Sequence, residues 1–362
     1  MHQSPHLPEG VVFAKTDFCE VGIDPSVGNL PKLAFQWNDG WHEPLHRAPW
    51  VQDTTFLATM PPVDRTLSGD FVCVPFGKND VEPGPPHGWS ANSAWSFKSK
   101  APGELALVLD QQIMGARLEK VLRPSPNAPL LYQEHRLIGG QGAVTFAHHP
   151  MIRVSGGAML FTSPKRLAMT ISTPIVEGHH ALQCNVSVDD WHAVPAVKGG
   201  TIDVANLPIS EGDEDFVALV EAEGSQLGWT AIIRAAFNDI IFLLKDPSVL
   251  PLTMLWHSNG GRQDSPWDGR HRHVLGIEDG IAAGGEGHKA ALGENAFTPQ
   301  GIASALPLAP NRTHRIGHVL GCVPRPSGWH RISNICIKSD ELVIEGAVGQ
   351  SIQLPFDANF FR

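Results

Sequence analysis

The feature that most constrains this chain is its punctuation. Short apolar runs recur through it, and each is cut off by glycine, proline or an Asn-Asp pair. Leu105-Ala106-Leu107-Val108-Leu109 stops at Asp110, and Ala116–Leu122 stops at Arg123-Pro124-Ser125-Pro126-Asn127. Similar runs cover 130–137, 143–147, 159–162, 167–172, 231–236 and 240–244. Such lengths suit strands, and the breaks supply turn chemistry. Asn238-Asp239 between the last two predicts a hairpin. Ile352-Gln353-Leu354-Pro355-Phe356 carries a proline that cannot donate to a ladder, so an edge strand is expected. One segment reads as a helix: Ser210 and Asp213 are N-cap types, and Phe216, Leu219 and Val220 follow at helical spacing before Gly224.

Many strands and little helix define an all-β fold, a large antiparallel β-sandwich with one or two short helices. At 362 residues the chain is long for one domain. Sandwiches often exceed the usual size, however, and no linker or repeat divides it, so residues 1–362 read as one unit. The Pro- and Gly-rich stretch 77–88 sits between strand-like runs and reads as a loop at the mouth of a site.

Composition excludes several classes. A net charge of -10 disfavours nucleic acid and anionic membranes as partners and suits a small neutral ligand. No basic segment leads into an apolar run at the N-terminus, and no stretch is long enough to span a bilayer. Cys19, Cys73, Cys184, Cys322 and Cys336 are odd in number and scattered, which fits reduced thiols in a cytoplasmic protein, monomeric or homodimeric.

Histidine is abundant, at 18 residues, so composite motifs weigh more than any single one. In Pro86-His87-Gly88-Trp89 the glycine lets a ligand approach His87 closely. In His148-His149-Pro150 the proline favours an extended His149, so the two imidazoles should project to opposite faces of a strand. Asn259-Gly260-Gly261-Arg262, followed by Pro266-Trp267, offers an amide, a guanidinium fork and an aromatic face for several hydroxyls on one ligand. Glu278 closes the apolar run Val274-Leu275-Gly276-Ile277, where partial burial favours a proton acceptor.

In this order the segments resemble the galactose-mutarotase (aldose 1-epimerase) superfamily. His87-Gly88 is similar to its sugar-binding HG motif, His149-Pro150 to its catalytic HP motif, and Gly276-Ile277-Glu278 to its Leu-x-Glu-Pro-like motif. Asp279 stands where that last proline is usual, and Arg47 is an approximate counterpart of the N-terminal sugar-binding arginine. Asp239 and Asp246 are candidates for its ligand-binding aspartate. The resemblance implies interconversion of the α and β anomers of a free aldose, without cofactor or metal. Glu278 would be the base and His149 the acid, with His87, Arg47, Asn259, Arg262 and Trp267 holding the sugar.

Three other readings compete. A non-catalytic sugar-binding module and a sugar-phosphate epimerase share the fold. A metal-dependent cupin would use His271, His273 and Glu278, with Gly285 following, although Ser265 stands where its motif has glycine.

Overall fold

The computed structural model describes residues 6–38, 40–53, 59–346 and 349–362. Residues 1–5, which contributed to the N-terminal reading, lie outside them. The architecture is antiparallel β-sheet, with two one-turn helices, Pro62–Arg65 and His288–Ala291. No helix among the described residues is long and apolar enough to cross a membrane.

Two large sheets form the centre. One has nine strands, running from Asn206–Leu207 through Ala158–Thr162, Gly228–Arg234, Asp239–Lys245, Thr313–Pro324, Leu130–Gly139, Ala116–Pro124 and Glu104–Leu109 to Trp95–Ala101. The other has eight and centres on Glu214–Glu221, Leu252–Ser258, Val274–Ile281 and Phe146–His148. Leu107, Leu118, Leu131, Ile241, Leu243 and Leu320 of the first sheet share one core cluster with Val217, Leu219, Leu255, Leu275 and Ile277 of the second.

The far face of the nine-stranded sheet is covered as well. Trp229, Ile240, Phe242 and Leu244 pack against Trp329, Ile335, Leu342 and Ile344, most of which belong to the C-terminal sheet of Ile332–Lys338, Glu341–Gly346 and Ser351–Pro355. A strand buried on both faces has no polar side to show, which is why Ile240–Leu244 reads as an unbroken apolar run. The hairpin expected around Asn238-Asp239 joins Gly228–Arg234 to Asp239–Lys245, and Ser351–Pro355 lies at the edge of its sheet.

The helix expected between Ser210 and Gly224 does not form. Glu214–Glu221 is a strand paired with Leu252–Ser258 and Lys165–Thr170, and all eight of its residues are buried. Val217 and Leu219 enter the inter-sheet core while Phe216, Ala218 and Val220 face the other way. Double burial erases the polar half of the period-two pattern, and the remaining apolar positions mimic helical spacing. The five cysteines are free, with Cys184 and Cys336 only partly buried.

Candidate active site

Strand alternation decides which side chains leave the sandwich interior. Met254, Trp256 and Val274 face outward from the eight-stranded sheet, and Glu278 lies opposite Met254 in the ladder, on that same face. Phe146 packs in the interior and Ala147 outside it, so His148 returns inward and His149 emerges. Of these outward side chains, Trp256, Glu278 and His149 line a cavity of about 250 Å³. That is smaller than the roughly 300–1,000 Å³ of pockets for drug-sized ligands, which suits one small ring.

At its centre His149 Nε2 lies 2.9 Å from Glu278 Oε1. The His149 ring stacks on Phe71 at 4.4 Å, and its backbone N–H donates to Asp70 Oδ1 at 3.1 Å. Burial opposes a charge on this imidazole, but the Glu278 carboxylate beside it outweighs that, and its pKa is raised above the ordinary histidine value. Glu278 Oε2 and His149 Nδ1 have no hydrogen-bond partner among the described residues.

His87 stands edge-on to His149, with ring centroids 5.4 Å apart, between Phe71 and Phe76. Burial, with His149 and Arg262 adding to it, pushes the His87 pKa down to about 3, so this imidazole is neutral. Its own backbone has a φ of 61°, and the turn is completed by Gly88 at φ 73°, where a Cβ would lie 2.0 Å from the Val74 carbonyl oxygen. Only glycine fits there, which ties the HG pair to the loop geometry.

Arg262 closes another side. Its guanidinium carbon lies 4.2 Å from the Trp267 ring centroid and 5.6 Å from that of Trp256, and its Nε has no hydrogen-bond partner among the described residues. Behind this wall Glu214 Oε2 accepts from Trp256 Nε1 and Oε1 accepts from Ser258 Oγ, each at 2.8 Å. Burial pushes the Glu214 carboxyl up to about 7, with Arg262 and these donors pulling the other way.

The structure thus brings Glu278, His149, His87, Arg262 and Trp267 to one cavity. It does not bring Arg47 or Asn259 there. Arg47 bridges to Ser68 in the backbone, and its guanidinium donates to the His6 carbonyl at 2.8 Å. Asn259 ties two loops together by donating to the Ser210 carbonyl and accepting from the His273 N–H. Neither aspartate candidate lies in the cavity either. Asp239 is locked in a buried pair with Arg234. Asp246 lines a separate, larger cleft of about 650 Å³ beside the C-terminal sheet, among Ser225, Ser248, Ile337 and Arg362. The aspartate that does line the site is Asp64, on the one-turn helix Pro62–Arg65. Burial raises its pKa, offset in part by Arg262 and His149. Lys78, from the 77–88 loop, is a further lining residue that no motif marked.

The cupin set does not converge. His271 sits among Trp50, Trp256 and Trp267 with Nδ1 2.7 Å from Ser258 Oγ, whereas Glu278 faces His149. Asp279, on the opposite face of its strand from Glu278, accepts from Thr253 Oγ1 at 2.8 Å and pairs with Lys245 at 2.9 Å and His318 at 3.0 Å. Although burial opposes ionisation, Lys245 and His318 hold its carboxyl far below the usual range.

No family model and no curated protein matches the sequence. Solved structures do match in fold. A candidate aldose 1-epimerase from Escherichia coli K12 is 12% identical with a TM-score of 0.60, over 87% of this chain and 99% of that one. A galactose mutarotase-like protein from Lactobacillus casei ATCC 334 is 13% identical with a TM-score of 0.57, over 87% of this chain and 100% of that one. A galactose 1-epimerase from Lactobacillus acidophilus NCFM is 9% identical with a TM-score of 0.52, over 89% and 98%. The chain therefore has the galactose-mutarotase-like fold.

Proposed function

We propose that the protein interconverts the α and β anomers of a free aldose. The observation that carries this reading is the 2.9 Å contact between Glu278 and His149 inside a small cavity that also presents a neutral imidazole, a guanidinium and an aromatic wall. Anomer exchange needs a base for the proton of the anomeric hydroxyl and an acid for the ring oxygen. Glu278 accepts that proton through Oε2, which has no partner among the described residues, and His149 supplies one to the ring oxygen. The ring opens, the C1–C2 bond rotates, and the roles reverse on closure. Each proton transfer contributes about 10²–10⁴-fold, sufficient for a reaction that already proceeds in water.

His87 and Arg262 orient hydroxyls, Asp64 accepts from one, and the Trp267–Trp256 side packs against the apolar face of the ring. One feature favours a second substrate form: Lys78 and Arg262 both line the cavity, a pair of cations suited to an anionic group on the sugar. Competition between a free hexose and its phosphate for binding decides between the two forms.

We take residues 1–362 as one domain, since Trp229 and Phe242 of the sandwich share a core with Trp329 and Ile344. A cytoplasmic setting fits five free cysteines. The function is tested by saturation-transfer NMR on equilibrated aldoses. Exchange between anomer signals that depends on the protein and is lost in Glu278→Gln supports it. Absence of exchange with every aldose, alongside measurable binding, would leave a sugar-binding module.

A further inference from the structure

Behind the Glu278–His149 pair, in the interior between the two large sheets, lies a second group of ionisable side chains. His148, His318, His135 and Asp70 are each at most 1% exposed. His148 stacks on His318 with centroids 4.1 Å apart, and His135 stands edge-on to His148 at 4.9 Å. Of the ring nitrogens of these three histidines, only His318 Nε2 has a partner among the described residues, the Asp279 carboxylate at 3.0 Å. Both nitrogens of His135, both of His148 and Nδ1 of His318 are buried without one among the described residues. Buried polar atoms are ordinarily satisfied, so a concentration of unpaired imidazole nitrogens points to a bound species.

We propose that Asp70, His148 and His318, with His135 beside them, form a buried site for a divalent transition-metal ion of the zinc class. Ligand atoms of the first three all lie within 4.8 Å of one another. Roughly 3.4 Å separates ligands around a tetrahedral zinc with bonds of about 2.0–2.1 Å. Side-chain rotation closes that difference, chiefly by turning the His148 ring out of its stack on His318. The supporting groups are in place. Asp279 accepts from His318 Nε2–H, which leaves Nδ1 as the lone-pair nitrogen, the carboxylate–imidazole pairing that orients metal ligands. Gln133 Nε2 donates to Asp70 Oδ2 at 2.6 Å.

The cation facing the group is Lys120, whose Nζ donates to the Gly28 carbonyl and lies over the Trp95 ring. Imidazole donors select zinc, copper or nickel over magnesium and calcium. His148 belongs to the eight-stranded sheet, and His135 and His318 to adjacent strands of the nine-stranded sheet. The ion would therefore cross-link the two layers, independently of the chemistry on the outer face.

The full-length protein is stripped with chelator, dialysed against Zn²⁺ and passed through a desalting column, and bound metal is measured by mass spectrometry. One zinc per chain is expected, with a Tm raised by Zn²⁺ and not by Mg²⁺, and His148→Asn should cut the bound zinc at least tenfold. Less than about a tenth of an equivalent in the wild type, or full retention in His148→Asn, overturns the proposal. If that variant does not fold, Co²⁺ loading of the wild type decides. Ligand-field bands of a low-symmetry nitrogen and oxygen site are expected, and their absence rejects the site. Metal content and spectra are read without any sugar, so this result stands apart from anomer exchange.

Discussion

Glu278 lies on the strand Val274–Ile281 and His149 in the link after Phe146–His148, 129 positions apart in sequence, yet their side chains meet at 2.9 Å, with Glu278 Oε2 and His149 Nδ1 unpaired among the described residues. Glu278→Gln keeps the shape and removes the base. Anomer exchange should fall by at least about 10³-fold while sugar affinity stays within roughly tenfold. His149→Asn should behave in the same way, because a paired acid and base fail when either is lost. NMR exchange rates and a binding titration on the same samples measure both quantities.

The Arg262 guanidinium lies 4.2 Å over the Trp267 ring centroid, where a planar guanidinium can stack and a lysine ammonium cannot. Arg262→Lys should raise KM about tenfold with kcat within a few-fold, and His87→Asn should likewise act mainly on KM. A loss confined to kcat in either variant would move that residue from holding the sugar to the chemistry itself.

The Glu214 carboxyl titrates near 7 when folded, against about 4.3 in an unfolded chain. A raised acid favours the fold while protonated. That stability is fully present below about pH 4.3 and is lost as pH rises through 7, on the order of 3–4 kcal/mol. Wild-type Tm should therefore decline from pH 5 to pH 8, and Glu214→Gln, which cannot ionise, should show a shallower decline. Parallel slopes by differential scanning calorimetry would contradict this account.

Asp279 neutralises Lys245 in the interior, and Glu221, 3.2 Å from the same ammonium, supplies only part of the compensation. Asp279→Asn leaves a buried cation underpaired and should cost about 3–5 kcal/mol, read as a lower urea midpoint with an unchanged slope.

Much of the site was legible in the sequence because it rests on local grammar. Glycine after His87 and proline after His149 constrain the backbone at those positions, and Glu278 ends an apolar run whose register sets its face. Asp64 and Lys78 were not legible, since one sits in an ordinary helix start and the other in a loop, and only the fold brings them to the cavity. Arg47 and Asn259 looked like ligand contacts because a guanidinium or amide near glycine and tryptophan serves loop hydrogen bonds as readily as hydroxyls. The mistaken helix at 210–224 has the same root. Periodicity reports which faces are wet, and a strand covered on both sides has none.

The alternation that separates Glu278 from Asp279 also separates His149 from His148, and it makes these strands brittle in one respect. Shortening Val274–Ile281 by one residue would swing Asp279 toward the cavity and drive Glu278 among the leucines. Substitutions there alter one group at a time, whereas a deletion exchanges the two faces wholesale. Changes of length therefore belong in connections such as 77–88, and libraries that diversify this protein should randomise letters in the strands and lengths only in the loops.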